Sequence, residues 1–306
     1  MIQLEHVTKK FGNNVAVNDL SFTVAPGVVT GFLGPNGSGK STTMRMILGL
    51  DSPTKGTAIV NGKPYRQIQR PLREVGALLD AKAVHPGRSA RNHLLAMAAS
   101  NKIPASRVDE VLRLTGIDGV AKRKAGDFSL GMSQRLGIAG ALLGDPHTLL
   151  FDEPVNGLDP EGIRWVREFF QSLAHEGRTV LVSSHLMSEM SLMATNIIVI
   201  GKGALIAQGS IDDIISAEGG GTVSVRSPRL ADLIATLSAH GAHVVSSDAD
   251  TASLSGITAE TVGDLALTAG IALYELATHR ITLEDAFMDL TRSSAEYTTS
   301  NEKSSS

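Results

Sequence analysis

The sequence contains no cysteine, which removes structural disulfides and thiolate metal sites and fits a reducing compartment. It also lacks a dominant charge: 28 Lys and Arg against 31 Asp and Glu leave a formal net charge of -3, with 19% of residues charged. Tracking a nucleic-acid backbone needs a concentrated cationic field, so nucleic acid is not expected as the main partner. Long apolar runs are missing as well. Stretches such as Asn196 to Gly201 fall far short of the ~20 residues that cross a bilayer. The opening Met1-Ile2-Gln3-Leu4-Glu5 has no basic stretch followed by an apolar core, so translocation by a secretory signal is not expected. Any membrane role is expected to come through a partner. What is present is 306 residues at 42% hydrophobic content, enough for one large domain and something smaller.

Short β-branched runs alternate with helical patterns at Val28 to Leu33, Val75 to Leu79, Leu149 to Asp152, Val180 to Ser183 and Ile197 to Ile200, which predicts an α/β sheet. Leu20 to Val24 and Thr57 to Asn61 predict further strands in an antiparallel addition, the second ending in the Asn61-Gly62 turn pair. From Leu94 to Leu143 the pattern is mainly helical, and Val108, Val111, Leu112 and Thr115 share one helix face as ordinary core. Ser210 is placed to cap a short helix carrying Asp212 and Asp213 in its first turn. The glycines Gly219, Gly220 and Gly221 then mark a boundary.

Beyond them the pattern resets as strand Thr222 to Arg226, helix Arg229 to Ala239, strands Ala242 to Ser246 and Thr251 to Ser255, helix Glu260 to Ala269, and strand Ile271 to Leu276. That βαββαβ order predicts a small α+β ferredoxin-like unit. A last helix, Leu283 to Leu290, is capped by Thr282. The expected division is a large domain at 1–217 with a helical insert at about 81–145, an accessory domain at 218–291, and a polar tail at 292–306 too poor in apolar groups to fold.

Gly34-Pro35-Asn36-Gly37-Ser38-Gly39-Lys40-Ser41 is a glycine-rich phosphate loop between a strand and a helix. Its glycines let backbone N–H groups turn inward, while the helix that follows presents its positive end to phosphates. Lys40 is placed to reach the β and γ phosphates, Ser41 to bind magnesium, and Thr42 to support the α phosphate. The loop alone does not separate a kinase, a GTPase and an ATPase. Downstream, the apolar strand Thr148 to Phe151 delivers Asp152 and Glu153 at its carboxyl end, the edge where open α/β sheets place ligands. Asp152 suits magnesium and Glu153 suits a general base acting on water; capping the next element is the structural alternative.

The order of that loop, Ser129-Leu130-Gly131-Met132-Ser133-Gln134-Arg135, the strand ending Asp152-Glu153-Pro154, Asn156-Gly157-Leu158-Asp159 and Ser183-Ser184-His185 resembles the ABC ATPase family over about residues 1–215. The resemblance implies a phosphate-loop ABC cassette, with a mixed sheet core, a helical subdomain and an antiparallel β addition. It further implies ATP and Mg2+ as ligands and two composite sites in a head-to-tail dimer, formed with a second copy or a paralogue. In such a dimer Ser129 and Gly131 contact the γ phosphate held by the opposite subunit. His185 is implied to serve the γ phosphate and attacking water, and Asp159 communication between sites.

Phe11 stands where family members stack adenine; plain core burial is its alternative. Asp80 replaces the glutamine that family members use to sense magnesium and link to the transmembrane partner, and is expected to keep that role with shorter reach. One cassette with a small carboxyl domain resembles bacterial ABC-2 type drug and antibiotic exporter subunits, which act at the cytoplasmic face of the membrane on a separate permease. The Arg88 to Leu95 segment is the expected permease contact. Two alternatives are weighed beside it: a soluble ABC ATPase acting on ribosomes or nucleic acid, and a small-molecule kinase.

Overall fold

The computed structural model describes residues 1–217, 221–279, 282–285 and 287–288. The chain divides into two units at Gly209 and Ser210, earlier by the length of one helix than the glycine run. In the first unit, β1 (Ile2–Phe11), β2 (Asn14–Val24) and β4 (Lys55–Val60) make an antiparallel sheet in the order β2-β1-β4. β4 ends in the expected turn, with Asn61 and Gly62 both at positive φ. A second, six-stranded sheet has the order β5-β6-β7-β3-β8-β9. Its members are β3 (Val29–Leu33), β5 (Val75–Leu78), β6 (Thr148–Asp152), β7 (Thr179–Ser184), β8 (Asn196–Gly201) and β9 (Ala204–Ser210), and the pairings from β5 through β8 are parallel. Every residue of β3 and β7 is buried, because a parallel strand is covered on both faces.

α1 (Lys40–Ile47) follows β3, and the short α2 (Pro71–Glu74) leads into β5. The region expected to be helical resolves into three helices with turns between them: α3 (Ala90–Ser100), α4 (Ala105–Leu114) and α5 (Leu130–Leu142). Val108, Val111, Leu112 and Thr115 are all buried, as ordinary core. α6 (Pro160–His175) buries Val166, Phe170 and Leu173, with Pro160 at its first position and Asp159 as its cap, the arrangement favoured at helix starts. α7 (Met187–Met193) then crosses to β8.

The second unit opens with α8 (Ile211–Ala217), where Ser210 Oγ accepts from Asp213 N at 3.0 Å, the expected cap. β10 (Thr222–Arg226), α9 (Leu230–Ser238), β11 (His243–Ser247), β12 (Thr251–Ser255), α10 (Ala259–Thr268) and β13 (Glu275–His279) follow in the predicted βαββαβ order. Their sheet runs β11-β12-β10-β13, every neighbour antiparallel. Val223, Val225, Leu233, Leu237, Leu254 and Val262 fill its core.

One strand lies elsewhere than expected. Ile271 to Tyr274 are not strand: the Ile271 amide donates to Ala266 O at 2.9 Å and its side chain is buried, so it closes α10 instead. The chain enters the sheet only after the Tyr274 amide reaches Arg226 O at 2.7 Å. Thr282 does cap, its Oγ1 accepting from Asp285 N at 3.1 Å; the rest of that helix lies in part, and the 292–306 tail wholly, outside the described residues.

Candidate active site

The loop from Gly34 to Gly39 joins β3 to α1. Its turn needs Gly37 at φ 81° and Gly39 at φ 104°, conformations in which an L side chain is strained. At Gly39 an added Cβ would also sit 2.6 Å from the Ala16 carbonyl oxygen, so the loop closes directly on β2. Pro35, Asn36 and Gly37 are exposed at its tip, whereas Ser38 and Lys40 are buried. Ser38 Oγ has no hydrogen-bond partner, and an orphaned hydroxyl of this kind costs ~1–3 kcal/mol until something satisfies it. No acidic residue lies in the first turn of α1, which leaves its positive end free for an anion.

Lys40 Nζ donates to Gly34 O at 2.6 Å and Pro35 O at 3.4 Å, and stands 3.8 Å from Glu153 Oε1. Burial pushes its pKa below the ordinary lysine value, and the charges of Glu153 and then Asp152 offset part of that. An ammonium held at such a cost gains most from a polyanion.

Asp152 ends β6 and Glu153 follows it, beside Ser183 of β7, which pairs in register with Asp152. Ser183 Oγ donates to Asp152 Oδ1 and accepts from Glu153 N at 2.9 Å. Glu153 itself has φ 49°, the left-handed region that an L residue enters only at a cost of roughly 1–2 kcal/mol. That turn aims its carboxylate so that Oε2 lies 2.9 Å from His185 Nδ1 while Oε1 faces Lys40. From α5, Gln134 Nε2 donates to Glu153 O at 3.4 Å. Lys40, Glu153 and His185 thus form one cluster at the mouth of the phosphate loop. The Glu153 side chain is 22% exposed, open enough to take a proton from water and close enough to a cation and an imidazole to be held in one pose.

The family described as "ABC transporter" matches residues 17–156, and one described as "Domain of unknown function (DUF8746)" matches residues 221–284. The uncharacterized ABC transporter ATP-binding protein YhcH of Bacillus subtilis is 40% identical over 216 residues, 70% of this chain and 71% of that protein. The chain belongs to the ABC transporter ATP-binding family. Two more ABC relatives are the bacitracin transport ATP-binding protein BcrA of Bacillus licheniformis, 39% identical over 70% of this chain and 71% of its own, and the lantibiotic transport ATP-binding protein SrtF of Streptococcus pyogenes, 35% identical over 69% and 92%. Among solved structures, CbiO1 from Clostridium perfringens, part of the ABC transporter complex CbiONQ, superposes with a TM-score of 0.63 at 27% identity, covering 71% of this chain and 91% of that one. The dimeric MJ0796 cassette shares the fold, with a TM-score of 0.62 at 24% identity over 69% and 98%.

The other residues expected to serve this ABC ATPase are placed as follows. Phe11 ends β1 at 50% exposure with Lys9 Nζ 4.8 Å from its ring centroid, so it is a surface ring and not core. Ser41 is exposed and Thr42 half-buried in the first turn of α1. Asp80 lies two residues beyond β5, where Leu78 pairs with Phe151 of β6, and its Oδ1 accepts from Lys82 N at 2.8 Å.

Ser129 caps α5, accepting from Met132 N at 3.2 Å, and Asp159 caps α6, accepting from Gly162 N at 2.8 Å. A Cβ on Gly131 would meet Leu158 Cδ2 at 3.2 Å, so these two loops pack on each other. Among the described residues no hydrogen bond or ion pair joins Ser129, Gly131 or Asp159 to the Lys40, Glu153 and His185 cluster. Sequence reasoning gave Ser183 no role of its own. Its signal was a hydroxyl ending a β-branched run.

Proposed function

We propose that this ABC ATPase drives an exporter of antibiotic-like amphiphiles from the cytoplasmic face of the membrane, through a separate transmembrane permease. The carboxylate of Glu153, fixed between Lys40 and His185 at the mouth of the phosphate loop, carries the hydrolytic half of this reading. The relatives named for bacitracin and lantibiotic transport support the export half.

In this proposal the amides of residues 34–39 and Lys40 grip the β and γ phosphates, Thr42 supports the α phosphate, and Phe11 stacks on adenine. Ser41 and Asp152 are hard oxygen donors suited to magnesium, with Asp80 a third at the same sheet edge; bound there, the ion supplies Lewis-acid stabilisation of phosphate charge. Glu153 takes a proton from the attacking water, and His185 holds Glu153 and the water in line. Ser129, exposed as the cap of α5, and Gly131, half-buried against Leu158, lie at the amino end of that helix and complete the nucleotide site of a second cassette, a copy or a paralogue, with Asp159 at the same seam. ATP favours the closed pair and hydrolysis releases it. Residues 1–217 are the cassette and 218–291 an accessory domain.

Affinity purification of the full chain from solubilised native membranes, followed by a screen for growth in bacitracin and a lantibiotic, tests the proposal. A multispanning protein should copurify, and deletion should sensitise the cells. Recovery of no such protein together with unchanged resistance would overturn it.

A further inference from the structure

Arg135 lies on α5, six residues past Ser129, and has no part in the scheme above. Its guanidinium carbon stands 3.9 Å from the centroid of the Trp165 ring on α6, and its Nη1 donates to the Thr115 carbonyl just past α4 at 2.9 Å. Trp165 begins an aromatic ladder. It stacks on Phe169 at 5.2 Å and 11°, Phe169 meets Phe170 at 6.4 Å, and Phe170 stacks on Phe151 at 4.1 Å and 15°. Phe151 is the residue before Asp152. The neighbour of Arg135, Gln134, meanwhile bonds the Glu153 carbonyl. Two adjacent residues of α5 therefore reach the catalytic strand end by different routes, one polar and one aromatic.

A planar guanidinium can stack on a ring and donate in its own plane at once, which an ammonium cannot. We infer that Arg135 is a positioning residue: clamped between Trp165 and the carboxyl end of α4, it fixes the pose of α5, and with it Ser129 and Gly131, relative to this chain's own Glu153. The inference rests on the composite-site reading proposed above, and it adds a mechanical tie between the half-site a cassette lends and the one it keeps. α5 must be held at a set angle for its amino end to meet a phosphate on another subunit, because donors misplaced by about 1 Å lose most of their effect.

Trp165 is the sole tryptophan of the chain, so its intrinsic emission reports the clamp directly. The full chain is compared with Arg135→Ala, Arg135→Lys, Trp165→Leu and Trp165→Phe for ATPase rate, nucleotide affinity and, where Trp165 is kept, emission. Arg135→Ala and Trp165→Leu should lower kcat about tenfold while nucleotide Kd stays within about twofold, since the phosphate loop is untouched. Trp165→Phe, which keeps a ring face, should recover to within about threefold, and Arg135→Lys should not recover. Arg135→Ala should also shift the emission of Trp165. An unchanged rate in Arg135→Ala, a Trp165→Phe variant as slow as Trp165→Leu, or loss of nucleotide affinity in step with kcat would each overturn the clamp. If the unaltered chain hydrolyses no ATP, the proposed function is what fails; an emission identical in the unaltered chain and Arg135→Ala still refutes the clamp by itself.

Discussion

Removing one hydroxyl tests how Glu153 is aimed. Ser183 is fully buried and stands between Asp152 Oδ1 and the Glu153 amide. Ser183→Ala leaves a buried N–H and one carboxylate oxygen without that partner, a loss of about 2 kcal/mol for groups of this kind. In a unit the size of Met1–Gly209, that lowers Tm by roughly 4–8 °C. The larger effect is on rate. Glu153 occupies a left-handed backbone at φ 49°, and without the Ser183 bond the turn relaxes; a shift of about 1 Å in the base costs on the order of 100-fold in kcat.

Nucleotide affinity should hold, because Ser183 makes no bond to the phosphate loop. ATPase rate, thermal denaturation and nucleotide titration are measured on Ser183→Ala, Glu153→Gln and the double variant. Glu153→Gln alone should cost about 10²–10⁴ in rate, as loss of a general base does. Adding Ser183→Ala to it should slow the reaction little further, because the group that Ser183 positions is already gone. Equal rates in Ser183→Ala and the unaltered chain, or losses that multiply in the double variant, would show that Ser183 does not act through Glu153.

Three further outcomes follow from the same geometry. Gly39→Ala places a Cβ 2.6 Å from Ala16 O at φ 104° and should weaken ATP binding by about tenfold or more, read by titration with a fluorescent nucleotide. Phe11→Ala removes a half-exposed ring and should weaken ATP binding by about 0.5–1.5 kcal/mol while leaving Tm unchanged; an equal loss for ATP and inorganic triphosphate would exclude adenine stacking. Burial holds Lys40 below the ordinary lysine value of 10.5, so the folded chain sheds this proton before the unfolded chain does. Between the two values the unfolded state binds more protons, and the contribution of this group to stability rises with pH. Denaturant unfolding at a series of alkaline pH values should show that slope in the unaltered chain, a smaller one in Lys40→Met, and a flatter one with saturating ATP, whose phosphates add to the counter-charge of Glu153 and Asp152.

The parallel strands were legible because burial on both faces leaves short runs rich in apolar residues, and β3, β6, β7 and β8 are of that kind. β1 is illegible for the opposite reason. It has one buried and one wet face, a left-handed residue at His6 and three register shifts against β2, so no regular period marks it. α6 carries clear signals in Asp159, Pro160 and the spacing of Val166, Phe170 and Leu173, and Asp159 serves at once as a motif residue and as the cap of this helix. In the second unit, β13 was misplaced because Ile271 is apolar and β-branched like a strand residue but serves to close α10.

The candidate site divides along a similar line. Residue types and their local spacing announced the phosphate loop, because its chemistry is carried by backbone that neighbouring glycines shape. The aim of Glu153 could not be announced that way. It depends on Ser183, 30 residues later, and on a parallel register that sets that serine opposite Asp152; a slip of one residue would send the hydroxyl to the other face of the sheet. The same holds for Arg135, whose partners Thr115, just past α4, and Trp165, on α6, lie on either side of it in sequence. Local pattern therefore names the groups that grip a triphosphate, whereas the pose of the groups that would cleave it is a property of strand register and helix packing, and substitutions at Ser183 or Trp165 should change rate without changing affinity.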